Sequence, residues 1–230
     1  MEKIKRNQSG FTLLELAVVL MIIALITSGV LKGQELIDLA KIKKFEADFK
    51  NFQLFIYGYQ DKYRAIPGDD PNVVAHVGGI LATTPVGLQG NLVINGNWNS
   101  TTTTDESFLF WQHVRLGGLE PGSTVITDPT YKPVNVAGGA IGVQGGTSMP
   151  ANSPINGGPG QTNPIRGIYI ICSADIPGKY VKIIDTDLDD GNIASGSIMA
   201  TPAFGYAIGA IAIATTAIQD ATPYILCMGI

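Results

Sequence analysis

The chain is short of charge. Asp, Glu, Lys and Arg make up 15% of its 230 residues, well below the ~25% of an ordinary soluble domain. What charge there is leans acidic, 15 Lys and Arg against 19 Asp and Glu, net −4. That balance argues against a protein that binds nucleic acid by neutralising phosphates. Two cysteines exclude a disulfide-dense miniature fold and a four-cysteine zinc site. Two histidines, His76 and His113, leave little for a metalloenzyme, and neither sits in an acid–histidine–nucleophile spacing. No G-x-S-x-G, P-loop, H-E-x-x-H or C-x-x-C is present, so the residues point away from an enzyme and from a resident cofactor. Hydrophobic residues at 45% are enough for one sizeable core, and the length allows one domain with at most an appendage.

The N-terminus departs from these averages. Met1–Gly10, MEKIKRNQSG, holds Lys3, Lys5 and Arg6 against Glu2. Phe11–Leu31 follows, 21 residues with one ionisable group, Glu15. As a helix this run spans ~30 Å, the thickness of a bilayer's hydrocarbon core. The basic flank predicts a single pass with the N-terminus in the cytoplasm and the rest of the chain outside it. A cleaved secretory signal peptide is the plain alternative. Such peptides, however, have a 7–15-residue apolar region with the small-residue site after it, whereas here the Ser9-Gly10 junction precedes the run. A simple signal anchor leaves Glu15 unexplained, because a charge in lipid costs at least a few kcal/mol.

Gly10-Phe11-Thr12-Leu13-Leu14-Glu15, behind a basic leader and ahead of an apolar run, resembles the signature of type IV prepilins and type II secretion pseudopilins. The resemblance implies cleavage between Gly10 and Phe11 by a prepilin peptidase and N-methylation of the new amino terminus on Phe11. Loss of residues 1–10 removes three bases and one acid, leaving 12 bases against 18 acids, net −6. Glu15 lies four residues beyond Phe11, one helical turn away. The resemblance implies that Glu15 pairs with the Phe11 amine of a neighbouring subunit, which would set filament register. The alternative is a carboxyl that is simply protonated.

Ile42, Phe45, Phe49, Phe52, Ile56, Tyr59 and Tyr63 recur at 3, 4, 3, 4, 3 and 4 residues, an amphipathic helical seam. No proline occurs between Phe11 and Ile66, so one helix is expected from about Phe11 to about Tyr63, roughly 80 Å long. The aromatic stripe reads as the face on which a sheet packs. The expected division is a leader at 1–10, a transmembrane and polymerisation helix at 11–32, an amphipathic helix at 33–65 and a globular head at 66–230.

In the head, Ile66–Asn72 reads as a turn. Thr104–Gly118 reads as a short helix capped by Thr104 or Asp105 and stopped by Gly117-Gly118. Arg166–Cys172 and Lys179–Asp185 read as two strands joined by a hairpin loop at Ser173–Gly178. Ala137–Pro164 reads as a long surface loop, and Ala203–Ile218 as a buried strand or helix, too short for a second span. The segments RAIPGDDPN, ESFLFWQHVRLGGLEPG and DTDLDDGN are similar to segments of bacterial pilin-like proteins. That similarity implies an α+β head, an antiparallel sheet packed on the C-terminal half of the long helix. It also implies a disulfide between Cys172 and Cys227. Two free buried thiols are the alternative.

Asp185, Asp187 and Asp189 alternate along DTDLDDGN, a spacing that suits oxygen ligands to calcium. An EF-hand loop needs Gly sixth and Glu twelfth, where this chain has Asp190 and Gly196. An acidic Asp-Gly turn is the other reading. The functional expectation is a structural subunit of a type IV pilus or a type II secretion filament. Its partners would be like subunits, the prepilin peptidase and methyltransferase, and an assembly platform in the bacterial inner membrane. A minor subunit with an adhesin or ligand-binding head is the second reading.

Overall fold

The computed structural model describes residues 12–161 and 163–230. The chain divides into two compact units, Met1–Lys41 and Ile42–Ile230. Helix α1, Leu13–Tyr63, runs through both. In the first unit its large side chains, Leu13 to Leu39, are exposed on every face. This stretch is long and apolar enough to cross a membrane.

In the second unit the same helix is one-sided. Ile42, Phe45, Phe49, Phe52, Ile56 and Tyr59 are buried, the seam that the 3–4 spacing predicts. All but Tyr59 share one core with Leu109, Phe110 and Val114 of α3 (Glu106–Leu116). Phe52 meets Phe110 at a ring separation of 5.6 Å. Charged residues flank the seam and pair along it: Lys43 with Glu46 at 2.9 Å and Lys44 with Asp48 at 2.7 Å.

The sheet has four antiparallel strands in the order β1-β3-β6-β4: β1 Ile141–Gly145, β3 Tyr169–Pro177, β4 Ile198–Pro202 and β6 Pro223–Gly229. Alternation along each strand separates two cores. Ile141, Val143, Ile171, Ile176, Ile198, Ala200, Leu226 and Met228 join the α1 and α3 side. Ile170, Cys172, Met199, Ile225 and Cys227 face the opposite side, where Trp98, Ile155, Ile165 and Ala212 cover them. The α+β arrangement, a long helix followed by an antiparallel sheet, is the one expected. Two short pieces complete it: α2, Val73–Val77, and a parallel two-residue pair of β2 (Ile155–Asn156) with β5 (Ala210–Ile211).

Four local expectations are corrected. Lys179–Asp185 is not a strand but part of α4, Gly178–Leu188. Tyr180, Val181, Ile184 and Leu188 stand at i, i+1, i+4 and i+8, so its apolar face is helical. The supposed hairpin loop at Ser173–Gly178 mostly continues β3 through a register shift between Ser173 and Ile176. The supposed surface loop at Ala137–Pro164 carries β1, which is buried along its length. Its glycines hide it from a hydrophobicity count, yet they admit close backbone contact: a Cβ at Gly142 would lie 1.9 Å from the carbonyl oxygen of Trp98. Ala203–Ile218 forms no continuous element, only β5 and the 3₁₀ turn Thr215–Ala217, with Gly205 and Gly209 at positive φ interrupting it.

Candidate functional site

The ionisable residue of the apolar stretch sits at the start of α1. The backbone N–H and the hydroxyl of Thr12 both donate to Glu15 Oε2, at 2.8 and 2.9 Å. The N–H of Glu15 donates back to Thr12 Oγ1 at 3.3 Å. This is a capping box, with Thr12 at the N-cap and Glu15 at the third helical position. It satisfies two backbone donors that the first turn would otherwise leave unpaired. The T-x-x-E signature directly ahead of an apolar run was the signal for it in the sequence. Gly10 and Phe11, the expected processing pair, lie outside the described residues.

Asp69, Asp70, Glu106, His76 and His113 hydrogen-bond within the head and hold its loops in place. Asp70, fully buried, accepts from the Tyr59 hydroxyl at 2.8 Å and the Asn72 N–H at 2.8 Å, and lies 2.7 Å from His76 Nδ1. Asp69 accepts the backbone N–H groups of Gly90, Asn91 and Leu92. Ile66–Asn72 is therefore more than a turn: two adjacent carboxylates fasten α1 on one side and the 90–92 loop on the other. His113 is buried, with Nδ1 accepting from the Gly68 N–H at 2.8 Å and Nε2 2.9 Å from the Ile80 carbonyl. The neutral Nε2–H tautomer fits both bonds, and burial holds its pKa down to about 4. Glu106 is also fully buried. Its Oε2 accepts the Asn95 backbone N–H at 2.7 Å and the side-chain amide at 2.9 Å, while Oε1 has no partner among the described residues. Burial foremost, with the nearby charges of Asp69 and Asp105, pushes its pKa up to about 7.

Cys172 and Cys227 form a disulfide between directly paired residues of β3 and β6. The structure places the aspartates of DTDLDDGN in two directions. Asp187 turns away and pairs with Lys43 at 3.3 Å. Carboxylate oxygens of Asp185, Asp189 and Asp190 come within 4.8 Å of one another instead. Asp185 and Asp189 are four apart, which on a helix is one face. Reading the segment as strand and turn hid that.

The family model for the prokaryotic N-terminal methylation motif matches residues 5–31. No curated protein and no solved structure matches the chain. The matched stretch contains the Gly10-Phe11 junction, Glu15 and the apolar part of α1, and defines the class: a protein with an N-terminal methylation motif on a membrane-length helix. The protein thus carries the signature of type IV pilins and pseudopilins, on a pilin-like α+β layout.

Proposed function

We propose that this chain is a filament subunit of a type IV pilus or a type II secretion pseudopilus. A prepilin peptidase removes residues 1–10 and the amine of Phe11 is methylated. The helix from Phe11 then anchors the protein in the bacterial inner membrane, N-terminus in the cytoplasm and head outside. An assembly platform draws it from lipid into a polymer of like subunits. The observation that carries this reading is the first unit of α1, whose apolar side chains are all exposed. Out of lipid that surface needs copies of itself to bury against, at ~25 cal/mol per Å². Glu15 supplies register, since its carboxylate meets the Phe11 ammonium of the next subunit.

Glu15→Gln tests the reading, because glutamine keeps the capping box while removing the charge. The variant should insert and be processed normally, charge removal making insertion easier, yet be lost from sheared filaments. An unpaired ammonium in an apolar bundle costs ~3–5 kcal/mol at every subunit added. Wild-type filament yield from Glu15→Gln would contradict it.

A further inference from the structure

We propose that Asp185, Asp189 and Asp190 bind one calcium ion at the C-terminal end of α4, in a site that ties this helix to the start of β4. Asp185 is fully buried, and neither of its carboxylate oxygens has a hydrogen-bond partner among the described residues. A buried carboxylate is ordinarily paired, hydrogen-bonded or bound to a metal. This one instead shares its surroundings with two further carboxylates, ligand atoms of all three lying within 4.8 Å. That separation is close to twice a calcium–oxygen distance of ~2.4 Å, so side-chain shifts of about a few tenths of an ångström bring all three within reach of one ion.

The neighbouring backbone makes the repulsion worse. Asp185 lies in the last turn of α4, which carries no basic residue, Asp189 is its C-cap and Asp190 follows, and the helix's C-terminal end is its negative pole. Three carboxylates there oppose one another and the helix together, and a divalent cation reverses the sign of both interactions.

The loop is already shaped around the trio. Asp189 Oδ2 accepts the N–H groups of Ser197 and Ile198, at 2.8 and 2.9 Å, and so aligns the first residue of β4. Gly196 permits this approach, because a Cβ there would lie 2.3 Å from that same oxygen. Asp190 Oδ1 accepts the Asn192 N–H at 2.8 Å. One oxygen each on Asp189 and Asp190, and both on Asp185, are left for the ion. Burial falls from Asp185 through Asp189 to the exposed Asp190. The ion therefore enters past Asp190, where water completes the six to eight oxygen ligands that calcium takes. Octahedral magnesium tolerates such an uneven set poorly.

The test uses the full chain in detergent, stripped with a chelator, with calcium binding measured by equilibrium dialysis and melting followed by tryptophan fluorescence. The expected result is one saturable calcium per chain and a melting temperature that rises with occupancy. Asp190→Asn, an exposed change that leaves the fold intact, and Asp185→Asn should each weaken binding about tenfold or more. Asp187→Asn should not weaken it. No bound ion at millimolar calcium would overturn the proposal, as would binding unaltered in both Asp185→Asn and Asp190→Asn. Loss of binding in Asp187→Asn would overturn the ligand assignment, and magnesium held as tightly as calcium would overturn the choice of ion.

Discussion

Between Leu13 and Leu39 every large apolar side chain of α1 is exposed, whereas from Ile42 onward the same helix buries Ile42, Phe45, Phe49, Phe52, Ile56 and Tyr59. The two stretches share one secondary structure and differ in pattern. Up to Leu31 the first is apolar all round apart from Glu15, which a helix tolerates only in lipid or among other helices. The second confines its apolar residues to one seam and finds its partners in α3 and the sheet. A continuous helix thus joins a head that completes its own core to a segment that something outside the chain must complete.

Truncations on either side of Lys41 should separate the two most strongly. Phe52→Ala, at a fully buried ring packed on Phe110, should cost the detergent-solubilised monomer about 3–5 kcal/mol. Ile22→Ala, in the exposed stretch, should fall within about 0.5 kcal/mol. Chemical denaturation of both variants checks this, and comparable losses would mean that residues 13–41 are packed in the monomer after all.

A smaller effect tests how the head holds its polar groups. Glu106 has its pKa raised from the ordinary 4.5 to about 7. Its protonation therefore favours the fold below pH 4.5, and that contribution is lost as pH rises through 7. Glu106→Gln keeps an acceptor for Asn95 and removes the titration. The variant's stability advantage over wild type should grow by up to ~3 kcal/mol between pH 4.5 and 8. A constant difference across that range would show that burial does not perturb Glu106.

Least costly is the capping box, the polar pairing at the start of the apolar stretch. Thr12→Ala should cost about 1 kcal/mol, read as faster amide exchange at Leu14 and Glu15 in micelles. It leaves the Glu15 charge in place, so filament yield should survive, in contrast to Glu15→Gln.

Much of this was legible in the residues. The 3–4 spacing placed the buried seam of α1 residue by residue through Tyr59, and the acidic start and paired glycines bounded α3 to within two residues. Glu15 stood out because one charge in 21 apolar residues has no averaging to hide behind. The rest failed where local pattern and tertiary context disagree. In KYVKIID the apolar positions satisfy both a strand and a helix, and only the continuation to Leu188 decides. β1 reads as loop because Gly142 and Gly145 contribute backbone rather than side chains to the core. Asp69 fastens backbone 21 to 23 residues further along the chain and Asp70 reaches back 11 residues to Tyr59, pairings that no local pattern encodes. The capping box is legible too, as Thr12-x-x-Glu15 directly ahead of the apolar run.

The central claim is that the apolar part of α1 is kept in the mature protein because it is the assembly element. Intact-mass and N-terminal analysis of the protein purified from native membranes tests this most directly. The account predicts a mature chain that begins at Phe11 and carries one additional methyl group on its amine. A mature chain that begins after residue 31, with the whole apolar run removed as an ordinary signal peptide, would contradict it.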